Sequence, residues 1–410
     1  MFGFKVPPKV YFKRGSTDLA LRELSDKKRA FIVSDRFLFN SGALNTILDL
    51  LETFGTDHQI YTDVKPDPTF ADIKTIVDIV NSYSPDLIIA VGGGSPMDAA
   101  KLIWLLYEQP EVDISKISMK FWDVEKDLEV LDNLGSKASF VTIPTTSGTG
   151  SEVTPFAIIK DEKDNSKITI ADYALTPDMA IVDANYVDRM PKGLTAASGL
   201  EALIQAIEAY ISPRSTNFTN SNALEAIKLI FRYLTRSFNE GANDPIAREK
   251  MHYASTISGM ALANAFPGLC HYMSYELGAM YHVPHGVANG LLIRQMIKYN
   301  AQNNPVNLGK IKDYAGAKVK YGQIADELKL GGQNDDEKVE LLIKEIDRQM
   351  DEISMPKSLK QLGIKEEVFL ENIDTLTERL FDNQKPNKKV SKDLKNDVKQ
   401  LFLDAYYGKV

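Results

Sequence analysis

Two textures follow one another along the chain. Up to about residue 190, short apolar runs rich in β-branched residues alternate with helical patterns. That alternation is the signature of a parallel sheet flanked by helices. Buried strands are predicted over 28–35, 59–65, 86–91, 138–144 and 179–183. A helix after the first strand ends near Phe54 and Gly55, and the turn Pro66-Asp67-Pro68-Thr69 caps an amphipathic helix running to Tyr83. Segments 156–161 and 167–172 read as a hairpin around Asp164 and Asn165, and 108–137 as a less regular peripheral excursion. Beyond Pro191 strand signals all but vanish, and helical periods cover 194–210, 217–238, 245–265 and 286–299, followed by a charged, helix-rich tail from about 307. Breakers stand at Ser212-Pro213, Gly241, Pro267-Gly268, Gly331-Gly332 and Pro386-Asn387. The expected organisation is an α/β domain over 1–187 and an all-helical domain over 188–410, with no internal repeat.

Composition narrows the function classes. The 410 residues are 44% hydrophobic and 25% charged, as in ordinary globular proteins. A formal net charge of −8 argues against nucleic acid or an anionic membrane as partner. No apolar run approaches the roughly 20 residues of a spanning helix. The opening residues lack a signal-peptide core, and a single cysteine, Cys270, allows no internal disulfide; both point to the cytoplasm. Cys270 adjoins His271, but a buried apolar cysteine is the preferred reading over a catalytic thiol. The Lys-rich stretch 385–399 reads as solvated surface.

Two loops have the chemistry of dinucleotide binding. Strand 86–91 runs into Gly92-Gly93-Gly94-Ser95-Pro96-Met97-Asp98. The glycines permit close approach of a ligand; Ser95 suits an N-cap, Pro96 the first helical position and Asp98 a capping-box acid. A helix starting there offers unpaired N–H groups to a phosphate. The spacing is not G-x-G-x-x-G, so the ordinary Rossmann fingerprint does not apply. The second loop, Pro144-Thr145-Thr146-Ser147-Gly148-Thr149-Gly150-Ser151-Glu152-Val153-Thr154, carries six hydroxyls after a strand. Asp35, ending the first buried strand, can hydrogen-bond a ribose 2′-hydroxyl and repel a 2′-phosphate, which favours NAD over NADP.

A polar constellation lies downstream. Glu201 and Gln205 are four apart and share a helix face, and His271, His282 and His285 are three of only five histidines. With the segments 92–101, 144–154, 199–210 and 271–286, the chain resembles the iron-containing (group III) alcohol dehydrogenase family. It is closest to the alcohol dehydrogenase half of bifunctional aldehyde–alcohol dehydrogenases, through 6–12, 34–40 and 171–185 as well. A related polyol dehydrogenase or a dehydroquinate synthase-like enzyme is the more distant alternative. The resemblance implies NAD(H)-linked interconversion of short primary alcohols and aldehydes in a cleft between the two domains, in a homo-oligomer. Asp35 would contact the adenosine ribose, Gly93, Gly94 and Ser95 the pyrophosphate with Asp98 nearby, and Thr145, Thr146 and Thr149 the nicotinamide end.

The same alignment exposes a departure. The family's divalent metal, Fe²⁺ or Zn²⁺, has four ligands that fall here at Glu201, Gln205, His271 and His285, where an aspartate and three histidines are usual. A further family histidine falls at Tyr275. The expectation is a weakened metal site with His271, His285 and Tyr275 as catalytic residues. A catalytically weak NAD-binding module retained for assembly, or a metal-independent reaction, remain alternatives. His282 is expected at the pocket edge, and no role falls to His58 or His252.

Overall fold

The computed structural model describes residues 3–119, 130–163, 165–302, 316–382 and 392–410. Asp164, part of the 108–137 excursion, the Pro386-Asn387 breaker and much of the Lys-rich stretch lie outside the described residues. The strands are β1 (Lys9–Phe12), β2 (Arg29–Val33), β3 (Asp57–Tyr61), β4 (Leu87–Gly92), β5 (Ser118–Met119), β6 (Ser139–Pro144), β7 (Phe156–Lys160), β8 (Lys167–Ala171) and β9 (Met179–Val182). Interleaved with them are α1 (Ser16–Arg22), α2 (Arg36–Asn40), α3 (Asn45–Phe54), α4 (Phe70–Tyr83), α5 (Gly94–Glu108) and α6 (Ile114–Ile117). Nine helices follow among the described residues: α7 (Lys192–Ile211), α8 (Asn217–Glu240), α9 (Pro245–Ala265), α10 (Leu269–Tyr281), α11 (His285–Asn300), α12 (Ala317–Glu327), α13 (Asp335–Glu352), α14 (Glu366–Asp382) and α15 (Lys392–Tyr407).

Six parallel strands form one sheet in the order β1-β9-β6-β4-β2-β3. Its central strands are buried on both faces, which is why they read as continuous apolar runs. Successive residues point to opposite sides: Phe31, Ile88 and Phe140 pack with Trp104 and Ile73 on one face, and Ile32, Ile89 and Val141 pack with Leu21 and Ile47 on the other. β5, β8 and β7 make a separate antiparallel sheet. A third core, built wholly from residues beyond Ala196, holds the helical part together.

The strand order reverses between β2 and β4, and ligands of such sheets sit outside the carboxyl ends of strands at that switch. Gly92 of β4 is opposite Pro144 of β6, so the glycine loop and the hydroxyl loop leave the sheet side by side. Asp35 follows β2 on the other side of β4.

The expected α/β part followed by helices is observed. Two strands are additional to expectation. β1 is four residues long behind Pro7-Pro8, and β5 is two residues long; neither offers enough positions for an alternation to register. β3 starts two residues earlier than expected, at polar Asp57, because it is an edge strand with partly exposed side chains.

The hydroxyl loop is pressed against the helical part at two of its glycines. Gly150 has a left-handed backbone, φ +64°, and a Cβ there would stand 2.6 Å from the Gly259 Cα in α9. A Cβ on Gly148 would stand 2.8 Å from the Ser198 Cα in α7. Gly259→Val therefore forces the loop off α9. We expect a stability loss of about 1–3 kcal/mol, read as a lower denaturation midpoint, together with weaker NADH binding.

Candidate active site

The carboxyl edge of the sheet and helices α7 and α11 enclose a cleft of about 1070 Å³. Asp35, Gly93, Gly94, Ser95, Thr145, Thr146 and Thr149 line one side, and Ser198, Glu201 and His285 the other. Asp98, Gln205, His271 and Tyr275 are buried behind this surface.

The cofactor side is set by backbone geometry. α5 begins at Gly94 with Gly93 as its cap residue, and no side chain caps it. Its first-turn N–H groups remain available, the arrangement that suits a phosphate. Ser95 therefore does not serve as the expected N-cap; its hydroxyl accepts from the Asp67 N–H at 3.4 Å. A Cβ on Gly93 would lie 3.2 Å from Thr146 Cγ2, and one on Gly94 3.2 Å from Thr149 Cγ2, so the two loops abut. Asp35 caps α2, accepting from the Leu38 N–H at 2.9 Å.

Asp98 also departs from the expected capping role. It points into the protein, accepting from Ser151 Oγ (2.6 Å) and the Ile158 N–H (3.0 Å). Lys101, one turn on, is fully buried and donates to Ser151 Oγ, Thr154 O, Thr154 Oγ1 and Phe156 O at 2.6–3.1 Å. Burial lowers its ammonium to about 8, against the opposing pull of Asp98 and Glu152. Burial likewise raises the Asp98 and Glu152 carboxyls; Glu152 accepts from Thr256 Oγ1 of α9 at 2.7 Å. This network locks the turn after the hydroxyl loop between α5 and α9.

The floor of the site is one face of α7. Glu201, Gln205 and Glu208 follow at i, i+4 and i+7. Glu208 accepts from the Gly268 and Cys270 N–H groups, each at 2.9 Å, and so anchors the start of α10. It also accepts a very short hydrogen bond from His271 Nδ1. That fixes the His271 tautomer and leaves Nε2 as a bare lone pair, buried and without a partner among the described residues. The His271 and His285 ring centroids are 5.3 Å apart, and Tyr275 stacks on His285 at 4.7 Å. Burial raises the Tyr275 phenol well above its ordinary value. Enclosure raises Glu201 to about 7, opposed by His271 and then Lys167.

The expected metal ligands do not make a metal site here. Gln205 is pinned across the interface, donating from Nε2 to Thr149 O at 3.0 Å with Oε1 3.3 Å from Ser258 Oγ of α9. Ser274 Oγ donates to His271 O, so it accepts from His285 Nδ1 at 2.9 Å. His285 Nε2 then accepts from the Asn289 amide at 3.1 Å. Both ring nitrogens of His285 are thus engaged, and burial keeps its imidazole neutral far below the usual range. Only His271 Nε2 and the Glu201 carboxyl remain open. Among the described residues no group of three or more His, Cys, Asp or Glu side chains could hold a metal. With Gln205 and His285 engaged in this way, the donors at Glu201, Gln205, His271 and His285 do not fit a divalent ion.

Three participants escaped the sequence reading. Glu208 was detectable, since it lies seven residues after Glu201 on the same face. Lys167 was not, because only the β7–β8 hairpin brings it to α10, where its Nζ lies 5.9 Å from the Tyr275 ring centroid. His252, expected to have no role, bonds Ser147 Oγ through Nδ1 at 3.1 Å. His282 ends α10 in a left-handed conformation and is exposed rather than lining the cleft. Cys270 is buried, with its thiol raised by burial, in line with the structural reading.

Profiles of two families cover nearly the whole chain. "Iron-containing alcohol dehydrogenase" matches residues 7–184, and "Fe-containing alcohol dehydrogenase family, C-terminal" matches 195–406. The chain belongs to the iron-containing alcohol dehydrogenase family. It is 44% identical to the bifunctional aldehyde-alcohol dehydrogenase AdhE of Escherichia coli (strain K12), an alignment covering 100% of this chain and 47% of that protein. It thus spans about half the length of that relative. It is 35% identical to the NADPH-dependent butanol dehydrogenase of Clostridium saccharobutylicum, over 100% of this chain and 99% of that one. The alcohol dehydrogenase from Oenococcus oeni superposes with a TM-score of 0.85 at 29% identity, covering 99% of this chain and 100% of that one. Membership of the iron-containing alcohol dehydrogenase family implies NAD(H) and a divalent metal in general. No helix among the described residues is long and apolar enough to cross a membrane.

The buried His252 gives a pH signature. Burial, and then Arg14, lowers its imidazole from 6.5 to about 3. The unfolded chain takes up a proton near pH 6.5 that the folded chain refuses. Stability from this site is therefore present above that pH and lost as pH falls toward 3. Between pH 7 and 5 the wild type should lose about 2 kcal/mol more than His252→Gln, measured by denaturant titration.

Proposed function

We propose that this chain is an NAD(H)-dependent alcohol dehydrogenase that interconverts short primary alcohols and aldehydes of the ethanol–acetaldehyde type. One observation carries the reading: the cleft is continuous from the uncapped helix start at Gly93 and Gly94 to Glu201 and His285. A dinucleotide laid along it places its pyrophosphate at that helix start and its nicotinamide beside Thr146 and Thr149, facing the floor. Hydride passes from the reduced nicotinamide to the carbonyl carbon, and the π electron pair moves to oxygen, which takes up a proton. The chain's own residues hold the cofactor, orient the aldehyde and keep water out. A cytoplasmic homo-oligomer fits the reading.

A second reading is a catalytically weak NAD-binding module kept for assembly. It is favoured by one observation, the consumption of Gln205 and His285 in hydrogen bonds. Turnover of NADH with acetaldehyde, with and without added Fe²⁺ or Zn²⁺, decides between them. We expect turnover without added metal; tight NADH binding with none under any metal supports the module instead.

Two variants sharpen the test. Asp35→Ala removes the carboxylate that excludes a 2′-phosphate, and should raise kcat/KM with NADPH about tenfold while lowering it with NADH. The double variant Glu201→Asp, Gln205→His restores the usual ligand types. It should acquire about one Fe²⁺ or Zn²⁺ per chain by elemental analysis while the wild type does not.

A further inference from the structure

Between α9 and α10 the chain passes through a backbone conformation that its own side chain opposes. Phe266 ends α9 with φ +65° and ψ +153°, a region that only glycine enters without strain. The other non-glycine residues with positive φ among the described residues are all polar. Phe266 is buried, only 2% exposed. Its ring is seated against the separate antiparallel sheet, with Met119 of β5, Phe156 of β7 and Ala171 of β8. The Phe156 and Phe266 ring centroids are 5.8 Å apart, and the Arg214 guanidinium lies 4.4 Å from the Phe266 centroid. Both ends of this contact lead to the site. Phe156 O accepts from Lys101, on the helix that begins at the glycine loop. Two residues after Phe266, the Gly268 N–H donates to Glu208, which also accepts from the Cys270 N–H and from His271 Nδ1. The ring thus ties the cofactor wall to the turn that sets His271 in the floor.

We propose that Phe266 is a positioning residue for the dehydrogenase site, its seated ring holding the α9–α10 turn in a conformation that the backbone would otherwise leave. This rests on the dehydrogenase reading above. Such strain persists only where the surroundings over-determine it, and here the buried ring does so. With the ring removed but a Cβ kept, φ relaxes to negative values, the turn moves and His271 is carried out of place. Glycine has no Cβ to relieve, so it keeps the turn where it is even with the ring gone. Phe266 does not line the cleft and acts through His271.

The test compares Phe266→Ala with Phe266→Gly in the full chain, using NADH and acetaldehyde. Phe266→Ala should bind NADH as the wild type does, by nicotinamide fluorescence, and lose about tenfold or more in kcat. Phe266→Gly should recover at least about threefold of that loss and unfold at a higher denaturant midpoint than Phe266→Ala. A residue that merely fills the core gives the opposite order, because glycine removes one more carbon and enlarges the entropy of the unfolded chain. Phe156→Leu loosens the seat of the ring and should lower kcat about threefold with NADH affinity unchanged. If neither Phe266 variant folds, Phe156→Leu decides alone, and an enzyme indistinguishable from the wild type overturns the role. A Phe266→Gly enzyme no faster than Phe266→Ala overturns it too, as does a Phe266→Ala enzyme that keeps more than half of the wild-type kcat; both leave the dehydrogenase reading intact. A wild-type enzyme without turnover overturns that reading and this role with it.

Discussion

The constraint on which the molecule depends is the close approach, at two glycines, of the hydroxyl loop to the helices. Gly150 lies directly on the backbone of Gly259, and Gly148 on the Cβ and Cα of Ser198. That contact brings Thr149 within hydrogen-bond reach of Gln205, and Ser147 within reach of His252. It also fixes how far the nicotinamide end of the cleft stands from the α7 floor. An added methyl group at either glycine would push the cofactor wall from the substrate wall. Shifts of about 1 Å in such a site can cost orders of magnitude in rate.

Buried charge secures the same junction. Lys101, Asp98 and Glu152 form a cluster with no exposed member, and each polar atom that would be costly to bury alone finds partners. The cluster joins the helix that begins at the glycine loop to the turn that ends the hydroxyl loop. Replacing one member strands the others in a low dielectric, so its worth lies in specifying position more than in net stabilisation. Glu208 does the equivalent on the other side. One carboxylate caps α10 and fixes the tautomer of His271, so an element of helix packing also sets the chemistry of the floor.

The amide of Gln205 has consequences beyond its own position. Donating from Nε2 to Thr149 O, it joins the two sides of the cleft. His285 is oriented by Ser274 and Asn289 and shielded by Tyr275.

Much of this was written in local sequence. Continuous apolar runs marked the central strands, because burial on both faces of β4 and β6 leaves little room for polar residues. The change of texture after Pro191 marked the helical part, and the glycine and hydroxyl loops marked the cofactor wall, because turn geometry and hydrogen-bond donors are properties of short segments. Glu201, Gln205, His271 and His285 could be named as a set. What only the tertiary structure decided is how those side chains spend their polar atoms. Gln205 faces Thr149 and Ser258 because α9 and a loop 56 residues upstream meet there. Lys167 comes to within 5.9 Å of the Tyr275 ring centroid because the β7–β8 hairpin folds back onto α10. Hydrogen-bond pairing between distant segments has no periodicity, and so no spacing along the chain could announce it.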